Sequence, residues 1–560
     1  MGNKIINMKN KFDVIVVGSG ITGGWAAKEF TEAGKSTLVL ERGRDIVHGQ
    51  DYPTAMNNPW DFKNRNLRMD SNTLRDIPVQ KSHCDEGNRH FFVNDTENPY
   101  LQENPFKWIR GYQVGGRSIT WGRQCYRMSD LDFEANKKDG HGVDWPIRYK
   151  DLEPWYGYVE NYIGIAGKSE SLSQLPDSKF INEIPLNDIE NHLKNRIETS
   201  YSHRKLISSR MANDTGDKNG KGTCMFRNRC SRGCPFGGYF SSVSSTLVDA
   251  KETGKLTLRP DSIVQKILYD AEKKIAIGVQ VIDKKSKEIH KFYSKIIFLN
   301  ASTIASTSIL LNSKNKHFPN GLGNTSGQVG KNLMDHCMNG GTIGEFNGME
   351  DKYYKGRSPG SIYIPRFQNT NAQTVNENFI RGYGLQGKGE RKNWQSIDKK
   401  GFGAELKNKL RKPGKWQVVL IGRGETLPQE KNRIELSKDE FDQWGLPLVK
   451  IYFQYGDNEE AMISSMKEEA ENMLEKAGFT NIYSYRKSPD PGSAVHEMGT
   501  ARMGNNPKTS VLNKNNQMHD VPNVYITDGS CMTSSGCQNP SLTYMALTVR
   551  ACDHALKNSF

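Results

Sequence analysis

Three cysteines close together are the first residues of this chain with an evident chemistry. Cys224, Cys230 and Cys234 lie within eleven residues of one another, and the same segment carries three arginines. Thiolates bind zinc and iron–sulfur centres, and cysteines also pair as disulfides. Taken alone, the segment leaves three interpretations open: a metal site, a fragment of a disulfide framework, or three unrelated buried thiols.

A histidine near the C-terminus is a second candidate for chemistry. His496 is followed by Glu497, which suggests the start of a zinc-binding helix. That helix needs a second histidine four residues after the first, and position 500 is threonine, so this interpretation is rejected. A lone histidine of this kind is by default a hydrogen-bonded core residue.

The N-terminus predicts a strand–helix–strand unit. Residues 12–17 are an apolar run typical of a buried strand, residues 25–33 are helical in character, and residues 36–41 form a second apolar run. A glycine-rich turn joins the first strand to the helix. This order is the β-α-β pattern that binds dinucleotides.

Each glycine of that turn has a predicted task. Gly18 makes the tight turn, and Gly20 lets a pyrophosphate approach the N–H groups at the helix start. Gly23 lets the helix pack closely on the strand. Glu41, at the end of the second strand, is placed to accept hydrogen bonds from ribose hydroxyls. The pattern does not distinguish NAD from FAD, and an ordinary α/β glycine turn is the alternative.

Several segments, in a fixed order, resemble the glucose–methanol–choline (GMC) family of flavoprotein oxidoreductases. Besides the glycine turn they are residues 111–122, 299–311, 329–336, 495–504, 524–530 and 536–543. The resemblance implies FAD rather than NAD. It also implies an α/β fold, with a Rossmann-like FAD-binding domain of the GMC type and a separate α+β substrate-binding domain built on an antiparallel sheet.

The resemblance assigns roles to individual residues. His496 falls on the catalytic base and Asn539 on its partner. A histidine with an ordinary pKa of about 6.5 can take the hydroxyl proton of an alcohol as hydride leaves for the flavin. Asparagine can donate a hydrogen bond to the developing alkoxide without competing for the proton. Further predicted cofactor contacts are Gly115, Gly116, Val264, Asp528, Gly529 and Thr543.

The attachment of the flavin follows from one departure from the family. Some sugar-oxidising relatives bind their flavin covalently through a histidine just before a tryptophan of the second glycine loop. In this chain Thr120 precedes Trp121. Threonine cannot form a histidyl bond, so we expect non-covalent FAD.

The resemblance also favours one interpretation of the cysteines. Residues 142–164 resemble a segment of bacterial membrane-linked sugar and gluconate dehydrogenases. Elsewhere in those dehydrogenases, a C-x5-C-x3-C pattern followed by proline holds a three-iron cluster. Cys224, Cys230 and Cys234 have that spacing, and Pro235 follows. They are therefore the predicted ligands of a [3Fe-4S] cluster. A zinc site and non-ligating thiols remain alternatives, and the neighbouring arginines either offset the cluster's charge or are solvated.

Composition excludes some classes of protein. The 560 residues have a mean hydropathy of −0.70, and no apolar run is long enough to span a membrane. The net charge of +14 comes with dispersed lysines and no nucleic-acid motif, which favours a solvated basic surface or an acidic redox partner. Residues 1–11 lack an export signal. We expect a periplasmic location through export with a partner, with the cytoplasm as the alternative.

The predicted organisation divides the chain into two domains and a cover. The FAD-binding domain comprises residues 1–50, 105–335 and 490–560, the loop-rich cover residues 51–104, and the substrate-binding domain residues 336–489. Within the last, strands are predicted at 361–367, 416–421 and 449–453, and an amphipathic helix at 459–476.

These observations predict an FAD-dependent dehydrogenase. Its expected reaction oxidises a secondary hydroxyl of a sugar or glycoside to a ketone, with the 3-hydroxyl of glucosides as first choice. The expected partners are a small subunit and a cytochrome or quinone-linked electron acceptor, so that the chain meets a membrane only through a partner. The alternatives are a gluconate or polyol dehydrogenase, an O2-using sugar oxidase, and a flavin-binding carrier or assembly subunit without catalysis.

Overall fold

The computed structural model describes residues 10–66, 68–215, 222–352, 361–393, 400–485 and 490–560, which form three sheets with helices packed around them. The strands are β1 Lys11–Val17, β2 Thr37–Leu40, β3 Leu101–Gln102, β4 Ile207–Ser208, β5 Leu256–Arg259, β6 Ser262–Asp270, β7 Ile275–Asp283, β8 Ile289–Leu299, β9 Thr342–Phe346, β10 Ile362–Ile364, β11 Tyr383–Arg391, β12 Trp416–Gly424, β13 Arg433–Phe441, β14 Pro447–Tyr452, β15 Thr480–Ser484 and β16 Val524–Ile526. The helices are α1 Ile21–Glu32, α2 Ser71–Asp76, α3 Asp130–Phe133, α4 Ala135–Asp139, α5 Tyr149–Ile163, α6 Asp188–Ser200, α7 Thr246–Glu252, α8 Thr303–Asn312, α9 Gly403–Arg411, α10 Asp457–Lys476 and α11 Ser541–Asn558.

The largest sheet contains the predicted nucleotide-binding unit. Its strand order is β5-β2-β1-β8-β7-β6, and β16 also pairs with β8. The pairs β5–β2, β2–β1, β1–β8 and β8–β16 are parallel, whereas β6 and β7 run antiparallel to their neighbours. Every residue of β2 is buried, as expected of a parallel strand covered on both faces. The predicted β-α-β unit is confirmed.

The boundaries of that unit differ from the prediction. Helix α1 begins at Ile21 rather than at residue 25, so Gly23 and Gly24 lie inside its first turn. A Cβ on Gly24 would lie 2.5 Å from Thr246 Oγ1, which shows how closely this turn packs on its neighbours. The second strand is shorter than predicted, and Glu41 follows its last residue directly.

The second sheet is antiparallel throughout, in the order β15-β9-β12-β11-β10-β4. Side chains alternate between its faces, because successive residues of a strand point in opposite directions. On β12, Trp416, Val418 and Leu420 enter a core shared with α6 and α10, so Arg423 lies on the opposite face. The helix predicted at 459–476 is confirmed as α10.

Three elements fall elsewhere than predicted. The strand predicted at 449–453 exists as β14, but it belongs to a separate three-stranded sheet, β13-β14-β3, and not to the antiparallel sheet. Strand β4 and helix α6 precede residue 336 and nevertheless pack on that sheet. The antiparallel sheet and its helices are therefore built from residues on both sides of the predicted domain boundary at residue 336.

The cover at residues 51–104 consists mainly of turns, with α2, the short β3 and three single-turn 3-10 helices as regular elements; Leu67 is outside the described residues. Within the described ranges, no helix has both the length and the apolar composition needed to cross a membrane. The expectation of no export signal concerns residues 1–11, and residues 1–9 lie outside the described part of the chain.

Candidate active site

The glycine turn builds a cradle at the start of α1. Gly18 has φ +96°, and a Cβ there would lie 2.4 Å from the Asn300 carbonyl oxygen. A Cβ on Gly23 would lie 1.9 Å from the Gly18 carbonyl oxygen, whereas a Cβ on Gly20 would meet no protein atom within 4 Å. Helix α1 has no side-chain cap, so its first N–H groups are available to an anion. This cradle fits a pyrophosphate.

The carboxylate of Glu41 connects the loops on either side of the cradle. It accepts hydrogen bonds from Ser19 Oγ at 2.6 Å, Ser19 N at 3.2 Å and Gly43 N at 2.8 Å. Burial raises the pKa of this carboxyl, and these bonds oppose the shift. Glu41 lines the cavity described next, and its bond to a ribose hydroxyl stays a prediction.

One cavity of about 490 Å³ extends from the cradle to the antiparallel sheet, a size typical of cofactor and ligand sites. Its lining includes most of the predicted site residues: Gly18, Gly20, Glu41, Gly116, Val264, His496, Asp528, Gly529 and Asn539. Thr120 also lines it. The structure therefore brings together residues from both ends of the chain.

Three predicted cofactor residues lie behind the cavity wall. Gly23 packs α1 on the sheet, and Gly115, at φ +84°, packs its loop against Val243, whose Cγ1 would lie 2.7 Å from an added Cβ. Thr543 is fully buried and hydrogen-bonded to Tyr156 Oη at 2.8 Å. In this structure Thr543 is thus a packing residue of α11, while Ser541 and Tyr544 of the same helix line the cavity.

Asp528 supports the wall near the start of α8. Its carboxylate accepts hydrogen bonds from Ser306 Oγ at 2.5 Å and from the Ser530 N–H at 3.0 Å. Gly529 follows, and a Cβ there would lie 2.3 Å from the Glu497 carbonyl oxygen. This turn therefore holds the segment beside His496 against the nucleotide-binding sheet.

His496 and Asn539 meet at the other end of the cavity, with 3.4 Å between His496 Nε2 and Asn539 Nδ2. The amide nitrogen can only donate, so this contact makes Nε2 the unprotonated nitrogen of His496. His496 Nδ1 lies 2.9 Å from His336 Nδ1, and the backbone N–H of His496 donates to Asp335 Oδ1 at 2.9 Å. The ring is therefore held through both of its nitrogens, and the backbone of His496 is held by Asp335, with the basic nitrogen beside Asn539.

Two polar residues of the antiparallel sheet complete this end of the cavity. Gln386 Nε2 donates to Asn539 Oδ1, and Arg423 Nε donates to Gln386 Oε1 at 2.9 Å. The bonds form a chain from Arg423 through Gln386 and Asn539 to His496. Sequence reasoning assigned no role to Gln386 or Arg423, which carry no motif.

The electrostatics keep His496 uncharged. Burial lowers its pKa well below the ordinary value, and the charges of His336, Arg423 and Arg117 lower it further. Burial, followed by the charge of Arg423, lowers the pKa of His336 to about 3. A neutral His496 is a proton acceptor at physiological pH.

This shift predicts the pH dependence of the reaction. A base whose pKa lies below 6.5 stays unprotonated as the pH falls through 6.5, so we expect kcat/KM to be maintained there and to decline only at lower pH. The measurement is the pH profile of substrate-driven flavin reduction in the absence of oxygen. A decline centred at pH 6.5 or above would contradict the described environment of His496.

The family follows from a comparison with protein-family models. The model described as GMC oxidoreductase, N-terminal part, matches residues 12–338, and its C-terminal counterpart matches residues 428–548. The chain belongs to the GMC oxidoreductase family. The α/β fold with FAD-binding and substrate-binding parts is thereby confirmed, and the chain is an oxidoreductase of the kind that acts on CH–OH groups.

Individual GMC relatives match along almost the whole chain. The fructose dehydrogenase large subunit of Gluconobacter japonicus is 26% identical and covers 98% of both chains. The 2-methyl-1,2-propanediol dehydrogenase of Mycolicibacterium austroafricanum is 28% identical, covering 97% of this chain and 94% of its own. A solved structure of formate oxidase from Aspergillus oryzae RIB40, determined to study FAD modification, has a TM-score of 0.63 at 13% identity, covering 98% of this chain and 99% of its own.

Membership of the GMC family supports FAD as the cofactor, and the cavity fits it. The uncapped start of α1 and the open space at Gly20 offer donors and room for the pyrophosphate. Gly116, Val264 and Asp528 line the same cavity further along. Thr120 stands in the lining where a covalent link would need histidine, so non-covalent attachment stays the expectation.

Three of the nine cysteines of this GMC protein, Cys224, Cys230 and Cys234, share one loop in which each is half-buried. Burial raises the pKa of Cys224, and the neighbouring thiolates of Cys230 and Cys234 raise it further, so the three lie within electrostatic reach of one another. Within the described residues, no group of three or more His, Cys, Asp or Glu is arranged to hold a metal ion. The donors suit an iron–sulfur cluster but do not form its geometry, and the cluster stays a prediction.

The arginines of the cysteine loop are not simply solvated. Their guanidinium groups donate to the cover: Arg227 to Ala55 O at 2.8 Å, Arg229 to Met56 O at 2.9 Å, and Arg232 to Asn57 O at 2.8 Å. Arg229 also donates to Asn58 Oδ1 at 2.6 Å. These bonds fasten the cysteine loop to the cover, and compensation of a cluster's charge by the same arginines stays a prediction.

Proposed function

We propose that the chain is an FAD-dependent dehydrogenase that oxidises a secondary hydroxyl of a sugar or glycoside to a ketone. The observation that carries this proposal is the 3.4 Å contact between His496 Nε2 and Asn539 Nδ2 in a cavity that begins at the dinucleotide cradle. Relatives named for fructose and for a diol support a sugar or polyol substrate. Among sugars, the 3-hydroxyl of glucosides is the first to test.

The residues at the end of the cavity divide the work of the reaction. A substrate hydroxyl entering between His496 and Asn539 gives its proton to His496 Nε2, while Asn539 Nδ2 donates to the same oxygen. Gln386 holds the amide of Asn539 in the required orientation, and His336 holds the imidazole. When bound, FAD supplies the acceptor for the two electrons that leave with the carbon-bound hydrogen.

The proposal extends to the route by which electrons leave. Cys224, Cys230 and Cys234 would hold a [3Fe-4S] cluster after a rearrangement of their loop that draws the thiols together, and such a cluster would supply a one-electron relay. A small subunit and a cytochrome-type acceptor would receive the electrons, and export together with that subunit would place the enzyme in the periplasm. The name of the fructose dehydrogenase large subunit is consistent with a multi-subunit enzyme.

If electrons leave through the cluster, a variant that loses the cluster should still reduce its flavin. In Cys230→Ser we expect bound iron and the electron paramagnetic resonance signal of the cluster to be lost, while anaerobic bleaching of FAD by sugar is retained. The matched control is Cys84→Ser, a half-buried cysteine outside the loop, which should keep the signal. Wild-type protein that contains flavin but no iron would contradict the cluster.

The choice between dehydrogenase and oxidase is tested with the same protein. With a glycoside panel, a dehydrogenase transfers electrons to a dye acceptor and yields little peroxide with O2. Rapid peroxide formation would favour the oxidase alternative. If no alcohol of the panel bleaches the flavin, the carrier or assembly alternative is favoured instead.

A further inference from the structure

The arginines that line the cavity differ in whether a carboxylate neutralises them. Three have a partner: Arg42 with Asp442 at 3.5 Å, Arg110 with Asp95 at 3.2 Å, and Arg117 with Glu497 at 2.8 Å. Arg123 and Arg423 have no carboxylate oxygen within 4.0 Å among the described residues. An unpaired cation in a buried site is costly, so each of these two needs an explanation.

Arg123 is held by its own loop. Its Nη1 donates to Trp121 O at 2.7 Å, and its guanidinium lies over the Tyr239 ring at 5.1 Å. Both contacts direct the group along the wall. Its Nε is buried without a hydrogen-bond partner, and among the described residues no hydrogen bond joins Arg123 to His496 or Asn539.

Arg423, unlike Arg123, is hydrogen-bonded into the chain that ends at His496. Its Nε donates to Gln386 Oε1, and its Nη1 lies 3.2 Å from Met338 Sδ, which is a weak acceptor. In the described part of the chain Nη2 has no acceptor, and the side chain is partly exposed to the cavity. The guanidinium thus presents donors to whatever occupies the space beside Asn539.

The surroundings do not neutralise this charge. Burial, followed by the positive charge of Arg423, lowers the pKa of His336 to about 3, and burial with a smaller contribution from Arg423 lowers that of His83 to about 4, so neither histidine adds or removes charge at neutral pH. Asp335, whose charge acts on Arg423, accepts N–H bonds from His496 and Ala494, and burial followed by the charge of Glu497 raises its pKa to about 7, so at neutral pH it offsets the charge only in part. This end of the cavity keeps an excess of positive charge.

We infer that Arg423 binds a carboxylate of the substrate, so that the preferred sugar is a sugar acid such as a uronic acid glycoside or an aldonate. A guanidinium binds a carboxylate with two parallel hydrogen bonds, a geometry that a hydroxyl cannot match. The chain of bonds through Gln386 and Asn539 then fixes the carboxylate at Arg423 and the reacting hydroxyl at His496. A neutral sugar would displace water from Arg423 and leave its charge unmatched. This inference rests on the proposed function.

The test compares sugars that differ only in charge. Methyl glucoside and methyl glucuronide share a ring, but the glucoside carries a CH2OH group where the glucuronide carries a carboxylate. Glucitol and gluconate form a second pair with the same difference. For the FAD-loaded protein without oxygen we expect the acid of at least one pair to reduce the flavin with a kcat/KM about 10²-fold above its neutral partner, because an unmatched buried charge discriminates strongly. Calorimetric binding of the same sugars to the loaded protein provides a readout independent of turnover.

Variants assign the effect to Arg423. In Arg423→Gln the KM for the acid should rise, so that the kcat/KM ratio of acid to neutral sugar falls to about one, and Arg423→Lys should restore the ratio in part. The control is Lys388→Gln, an exposed lysine of β11, which should behave as wild type.

Three outcomes would overturn the inference without affecting the proposed function. The first is an equal kcat/KM of the wild type for acid and neutral sugar, and the second is oxidation of the neutral sugar alone. The third is an equal fall in kcat/KM for both sugars in Arg423→Gln. If neither sugar reduces the flavin, the proposed function fails for these substrates. Calorimetry then decides this inference separately, since Arg423-dependent binding of the acid supports it and equal or absent binding overturns it.

Discussion

Replacing His496 by alanine is expected to slow substrate-driven reduction of bound FAD by about 10²–10⁴-fold, the usual contribution of a positioned general base. The loss should appear in kcat, because the imidazole acts on the proton that moves in the transition state. Glutamine at 496 should not rescue the rate, since its amide cannot take a proton. Stopped-flow absorbance of the flavin under anaerobic conditions measures the rate directly.

The controls for this prediction separate chemistry from cofactor binding. His496→Ala should bind FAD with the wild-type stoichiometry, because the cradle at α1 lies at the other end of the cavity. His317→Ala changes an exposed histidine and should leave the rate unaltered. A His496→Ala protein with full FAD content and a near-normal rate would show that another group takes the proton.

The cradle and the histidine could be predicted because each depends on a short stretch of chain. Gly18 and Gly23 are restricted by backbone conformation or close packing within a single turn, and Gly20 by the room that a pyrophosphate needs, so the spacing of the glycines records these restrictions directly. His496 likewise lies in a contiguous segment that resembles the family. Such local constraints are visible without knowledge of the distant contacts.

Gln386 and Arg423 could not be predicted in the same way. Each is one polar residue in a strand whose other face enters a hydrophobic core, and the sequence pattern alone assigns them to a solvated face. Their position opposite His496 is created when the antiparallel sheet packs over the nucleotide-binding layer. Gln386 and Arg423 are 73 or more positions away from His496 in the chain, so no short sequence motif records that they lie together.

Thr543 shows the opposite case, in which a residue predicted to contact the cofactor does not line the cavity. It lies within a segment that resembles the family, but successive residues of a helix point about 100° apart around its axis. Ser541 and Tyr544 of α11 line the cavity, whereas Thr543 faces Tyr156 in the core. The cysteine loop behaves similarly, because spacing identifies the donors and leaves their geometry undetermined.

Two glycine substitutions are expected to separate cofactor binding from folding. In Gly20→Ala the new methyl group meets no protein atom within 4 Å and projects where the pyrophosphate would bind. We expect the thermal midpoint of the apoprotein to be unchanged, and FAD binding to weaken by about tenfold or more, which corresponds to about 1.4 kcal/mol. Fluorescence titration of the apoprotein with FAD measures the affinity.

In Gly23→Ala the methyl group would lie 1.9 Å from the Gly18 carbonyl oxygen, which is backbone and cannot move aside as a flexible side chain can. We expect a loss of about 1–3 kcal/mol in the free energy of unfolding of the apoprotein, because α1 must move off the sheet. The contrast identifies the cause of each defect: the effect of Gly20→Ala requires a ligand, and that of Gly23→Ala does not. If Gly20→Ala bound FAD like the wild type, the pyrophosphate would lie elsewhere than the cradle, and the orientation assigned to the whole cavity would be wrong.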